Sequence, residues 1–131
     1  MNAKPLLALS LISITAALSG CATSDFQGAF LVGDRFNRAR IDTQPVLILS
    51  VDDRDTTQRR VLVDPGVRLV RVQAPPVPGA RQETATLKID VQPCMQYYIV
   101  AVRANRLTAQ FTPEVDHVER IGGCTPAEPK K

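Results

Sequence analysis

The chain has 131 residues, a length that suits one small domain. Its 16 Lys and Arg nearly balance 13 Asp and Glu and are scattered along the chain, without the basic stripe a nucleic-acid binder needs. A single histidine, His117, leaves one candidate for any His-based triad or metal site. The sequence holds no Gly-x-Ser-x-Gly, His-Glu-x-x-His, Walker A or Gly-x-Gly-x-x-Gly pattern.

The first segment reads as a processing signal, to be set aside before the fold is considered. Lys4 supplies one positive charge. An uncharged run from Leu6 to Leu18 follows, interrupted only by Ser10, Ser13 and Thr15. A membrane-spanning helix needs roughly 20 apolar residues, so this run has the length of a secretory leader. It ends in Leu18-Ser19-Gly20-Cys21. These four residues resemble the lipobox of bacterial lipoproteins. The resemblance implies cleavage after Gly20 and a diacylglyceryl thioether on Cys21. Ala22 stands where an Asp favours inner-membrane retention in enterobacteria, which implies a periplasm-facing place on the outer membrane. One acyl chain binds a membrane marginally and stable anchoring takes at least two, the number such lipoproteins carry. The expected organisation is a signal peptide at 1–20, a lipidated tether at 21–25, a β domain at 26–124 and a disordered tail at 125–131.

Removing Lys4 from the cations leaves 15 against 13 acidic residues in the mature chain, a net charge of +2. With Cys21 assigned to lipid, Cys94 and Cys124 remain as an even pair in an oxidising compartment, and a disulfide between them is expected. The alternative is two separate thiols, one of them reactive. No Cys-x-x-Cys occurs, which argues against a thioredoxin-like role.

Residues 26–41 mix Phe26, Phe30, Leu31, Val32 and Phe36 with Gly28, Gly33 and charges. They read as an irregular strand or a packed loop, with a short helix over 35–40 as a further option. From Pro45, Val46-Leu47-Ile48-Leu49-Ser50-Val51 is a β-branched strand, stopped by the turn chemistry of Asp52-Asp53-Arg54-Asp55. Strands over 58–63 and 67–73 flank Asp64-Pro65-Gly66 and read as a hairpin. Pro75, Pro76, Pro78 and Gly79 place an exposed loop at 74–80. Residues 83–91 alternate most clearly, with Ala85, Leu87, Ile89 and Val91 on one face, the pattern of an antiparallel sheet with one wet side. A long apolar strand over 96–103 should be central. Leu107, Ala109 and Phe111 predict an inward-alternating strand over 107–112, and 115–121 a last one. About seven short strands with frequent turns and ten prolines predict a mainly β fold, a small antiparallel β-sandwich.

The run from Arg60 to Val72 around Asp64-Pro65-Gly66, followed by Thr86-Leu87-Lys88-Ile89 and Tyr97-Tyr98-Ile99-Val100, resembles the small envelope-associated sandwiches of the PEGA type. That resemblance implies a Pro-Gly turn between strands and implies no functional residue.

His117 reads as a surface or strand-edge histidine. Asp52, Asp53 and Asp55 offer the oxygen ligands that calcium takes, but Arg54 sits among them and the EF-hand pattern is absent, so a solvated turn is expected. Glu114 and Asp116 form no glycosidase-type pair. Tyr97 and Tyr98 must point to opposite faces of one strand, one into the core and the other to a surface where it can bind. No catalytic residue, metal ligand or cofactor is expected. The expected function is a non-catalytic structural or binding module of the cell envelope, held to the membrane through Cys21. Its partner would be another envelope protein and not nucleic acid. Alternatives are an accessory lipoprotein of an envelope machine such as type VI secretion, an analogy of architecture alone, and a periplasmic lysozyme inhibitor.

Overall fold

The computed structural model describes residues 26–127; the leader, the lipobox and Cys21, the tether at 22–25 and residues 128–131 lie outside the described residues. Nine strands and no helix make up the described chain: β1 (Ala29–Val32), β2 (Thr43–Pro45), β3 (Leu47–Val51), β4 (Arg54–Gln58), β5 (Arg60–Val63), β6 (Gly66–Gln73), β7 (Thr84–Val91), β8 (Met95–Val102) and β9 (Thr112–Arg120). They form two facing sheets, so the expected β-sandwich is the observed fold, with nine strands in place of about seven.

The first sheet is organised around β8. Strand β9 runs antiparallel along its whole length, while β2, antiparallel, and β1, parallel to it and so a departure from the all-antiparallel expectation, share its other side, and β5 closes the sheet on β1. The apolar run read as central is therefore central, flanked by strands on both sides. The second sheet has the order β4-β3-β6-β7. Alternation places Leu31, Val63, Tyr97 and Ile99 of the first sheet against Ile48, Val70, Val72, Ile89 and Val91 of the second. Burying such side chains contributes about 1.5–3 kcal/mol each. Strand β7 keeps the predicted face, with Ile89 and Val91 buried and Lys88 and Asp90 exposed.

The strand directions give the sandwich two distinct poles. One gathers residues 26–28, the Asp52-Asp53 turn, the Asp64-Pro65 connection, Cys94 and the segment 121–125. Here Cys94 and Cys124 form the expected disulfide, with Cα atoms 5.4 Å apart. The opposite pole carries the long loops 33–42, 74–83 and 103–111.

Three local expectations change. Strand β5 pairs with β1 and β6 with β3 and β7, so Asp64-Pro65 crosses between the sheets and closes no hairpin. The hairpin read over 58–73 is thus not formed. A turn signal shows where the chain bends, not which sheet the next strand joins. Arg68 braces this corner: Nε donates to the Asp64 carbonyl (2.9 Å), Nη2 to that of Pro65 (2.8 Å) and Nη1 to Asp52 Oδ2 (2.8 Å). Arg54 and Asp55, read as turn, begin β4. The turn itself is Asp52-Asp53, both at positive φ (47° and 63°), as a two-residue type I′ hairpin requires. Residues 107–111 are loop, with Leu107 85% exposed. Asn105 Oδ1 accepts from Leu107 N (2.9 Å), a local bond that competes with a sheet ladder.

Residues 35–40, open between loop and helix in the sequence, form turns. The loop at 74–80 is a loop as expected, but Ala74 and Val77 are buried, and the buried Arg103 donates through Nη2 to the Pro75 carbonyl (2.7 Å) and through Nη1 to Gln44 Oε1 (2.5 Å).

Gly33 stands where two crossings meet. Its N–H donates to the Arg59 carbonyl, between β4 and β5, and its carbonyl accepts from Val46 N (2.7 Å), between β2 and β3. A Cβ there would run into the Val46 carbonyl oxygen, which is backbone and cannot move aside alone. Gly33→Ala is expected to destabilise the domain by at least the 1–3 kcal/mol typical of overpacking, read by urea denaturation. A wild-type midpoint in that variant would show that the crossings can part.

Candidate functional site

The outer face of the first sheet collects the aromatic and polar side chains that the sequence left scattered. Register sets Leu62, Phe30, Gln96 and Glu119 in one row and Arg60, Val32, Tyr98 and His117 in the next. The Arg60 guanidinium lies 4.0 Å from the Phe30 ring centroid, a cation–π geometry. Gln96 Nε2 donates to the Tyr98 hydroxyl (2.6 Å) and to Glu119 Oε1 (3.0 Å), and the Tyr98 hydroxyl donates to that same oxygen (2.7 Å). Hydrogen bonding to Glu119, together with partial burial, raises the Tyr98 phenol above its ordinary value.

The loop 33–42 folds over one end of this face. Phe36 stacks on His117 with centroids 3.8 Å apart and planes at 12°, and contacts Tyr98 at 5.1 Å. Arg40 holds the loop down. Its Nη1 donates to Glu114 Oε1 (2.8 Å) and Asp116 Oδ1 (2.7 Å), and its Nη2 to Asp42 Oδ2 (3.2 Å). The Asp116 side chain, only 3% exposed, also accepts from Asn37 N (3.3 Å). A buried carboxylate needs such partners. Hydrogen bonds to these three carboxylates raise the Arg40 guanidinium's affinity for its proton, and Arg40 in turn lowers Asp42.

The residues that stood out in the sequence take up distinct places. Tyr97 is the core tyrosine: its hydroxyl accepts from Gln92 N (2.8 Å). Tyr98 is on the outer face; alternation required one of the pair to be there without saying which. His117 lies on β9, stacked on Phe36 and with its ring centroid 6.0 Å from that of Tyr98. Glu114 and Asp116, which the sequence leaves without a partner, are joined by Arg40, from a loop some 75 residues earlier. Their spacing of two on one strand was the only available signal, and it does not identify the cation. Phe36 was visible as an aromatic in the ambiguous segment, but nothing in the sequence paired it with His117.

The acidic cluster is dispersed. Asp52 Oδ1 accepts from Leu69 N (2.9 Å) while Asp52 N donates to the Leu69 carbonyl (2.9 Å), so its side chain finishes the β3–β6 ladder. Asp55 lies on β4, 3.9 Å from Arg71. Among the described residues no group of three or more His, Cys, Asp or Glu is arranged to hold a metal ion. The Leu69 amide, then Arg68, keeps the Asp52 carboxyl below the usual carboxylate range. Its stabilising contribution is complete above the unfolded value, about 3.9, and is lost as pH falls through the lower folded value. Asp52→Asn is therefore expected to lower the melting temperature at pH 7, with the gap from wild type closing in that acid range. A gap unchanged at pH 2 would contradict this assignment.

No family model, no curated protein and no solved structure matches this chain.

Proposed function

We propose that the chain is a lipid-anchored lipoprotein of the cell envelope. Its β-sandwich then serves as a non-catalytic binding module, periplasm-facing on the outer membrane. The leader and Leu18-Ser19-Gly20-Cys21 supply the anchor. The observation that carries the reading is the polarity of the sandwich. Residue 26, the Cys94–Cys124 disulfide and residues 125–127 converge at one pole, where Gln27 accepts from Ala127 N (2.7 Å) and donates to the Thr125 carbonyl (3.0 Å). Four residues separate Cys21 from Phe26, and the five Cα steps between them reach at most about 18 Å. A lipid on Cys21 would keep this tied-down pole at the membrane and turn the three long loops outward. The outer face of the first sheet, with Phe30, Phe36, Tyr98 and His117 among hydrogen-bonding groups, would then stand along the side of the displayed domain. Mixed aromatic and polar composition of this kind favours binding.

A non-catalytic role is supported by the setting of the chemistry-bearing side chains. His117 is stacked on Phe36, and Glu114 and Asp116 are bonded to Arg40. Cys21→Ser is expected to move the protein out of the membrane fraction or leave the precursor uncleaved. Cleavage after Gly20 with lipid still attached in that variant would overturn the anchor. A hydrolase activity lost in His117→Ala would overturn the non-catalytic role.

A further inference from the structure

We infer that β5 is an open docking edge that takes an extended strand from a partner protein, chosen by charge. The first sheet ends at β5, which pairs with β1 and with nothing beyond it among the described residues. The direction of its free groups follows from one hydrogen bond. Gly33 N donates to the Arg59 carbonyl, and in an antiparallel pair bonded positions alternate. Val61 and Val63 therefore bond to β1, while the N–H and C=O of Arg60 and Leu62 point to the open side. The Gly28 carbonyl, accepting from Cys94 N (3.0 Å) on the opposite flank of β1, has the parity this alternation requires.

The other outer strands lack this character; β2 has only three residues and ends in Pro45. Strand β4 is wholly polar and carries a bulge against β3. Strand β9 contains Pro113 and a second bulge, between the partners of Tyr98 and Ile99. Strand β7 lies against β9 and presents Lys88 and Asp90. Such features blunt an edge. Strand β5 has an apolar centre, with Leu62 57% exposed. Beside it, between β5 and β4, runs a groove of about 630 Å³ whose lining includes Val51, Val61 and Val63. A strand added to β5 would send alternate side chains outward beside Leu62 and inward over these valines.

Charge selects the occupant. Arg60, Leu62 and Asp64 recur at every second position, so an antiparallel strand pairs best with a basic, an apolar and an acidic residue opposite Asp64, Leu62 and Arg60. A second copy would carry that pattern too, but antiparallel pairing turns its Phe26 pole to the opposite end. Two copies anchored in one leaflet through short tethers cannot adopt that arrangement. The choice of a foreign partner over a second copy rests on the anchoring proposed above; the open edge does not.

The test uses the full chain in detergent and two extended peptides of one composition, centred on Lys-Val-Leu-Val-Glu or on Glu-Val-Leu-Val-Lys. The first is expected to shift the NMR signals of Arg60 and Leu62 and slow their amide exchange. The reversed peptide should bind at least about fivefold more weakly. Leu62→Pro, which removes an outward N–H and no bond of the β1–β5 ladder, should abolish binding while Leu31 and Ile99 keep their amide protection. Equal binding of both peptides, no shift with either, or undiminished binding to Leu62→Pro would overturn the inference. So would a concentration-dependent dimer whose formation Leu62→Pro abolishes, since the second copy would then be the occupant. None of these readouts depends on lipid at Cys21, so failure here is distinct from failure of the anchor.

Discussion

Cys124→Ser is expected to lower the stability of the domain by about 3–4 kcal/mol, the chain-entropy effect of opening a loop of this length. For a domain of about 100 residues that is a fall of roughly 12–30 °C in melting temperature. The bond joins the β7–β8 turn to the segment after β9. Cys94 itself sits at positive φ (61°), its N–H donating to the Gly28 carbonyl and its carbonyl accepting from Ile121 N (2.9 Å). Both sulfurs lie close to the Phe26 carbonyl oxygen, at 3.7 and 3.1 Å. The bridge therefore links the beginning and the end of the described chain to the central strand. Urea denaturation of the oxidised wild type, the reduced wild type and the variant should show one large step, with the last two alike. A difference below about 1 kcal/mol would mean that the Gln27 bonds to Thr125 and Ala127 already hold this pole without it.

Ile48→Ala is the second large effect, at about 2–5 kcal/mol. Ile48 is fully buried on β3, the strand between β4 and β6, and its register partners are Gln58 and Val72. The residue precedes a bulge that shifts register on both sides, so neighbouring strands cannot close over the lost volume by sliding. Ile41→Ala removes a similar side chain that is 80% exposed, and should change stability by less than about 0.5 kcal/mol. Equal losses at the two positions would contradict the packing described here.

The contrast between residues 48 and 41 also shows what a sequence can convey. Strands with one buried face announce themselves: β7 and β8 stand where alternation and apolar run predicted them. Strand β4 has no apolar residue, so no periodicity could reveal it; the positive-φ pair Asp52-Asp53 and the pairing with β3 create it. The assignment of β5 and β6 to different sheets is a long-range fact, because β5 is chosen by β1 some 30 residues earlier. At the candidate site, parity required one of Tyr97 and Tyr98 to face outward, and the core packing of Tyr97 decides that it is Tyr98. The stack of Phe36 on His117 and the clasp of Arg40 on Glu114 and Asp116 did not, since a loop brings them across more than 70 residues. The pairing of Cys94 with Cys124 was legible once the lipobox reading set Cys21 aside, and the fold places the two together.

Attachment through Cys21 is the claim on which the proposed role depends. Mass spectrometry of the N-terminal peptide, from protein extracted from the membrane fraction, tests it most directly. The peptide should begin at Cys21 and carry the mass of a diacylglyceryl thioether. A peptide that begins at Met1, or an unmodified thiol at Cys21, would contradict it.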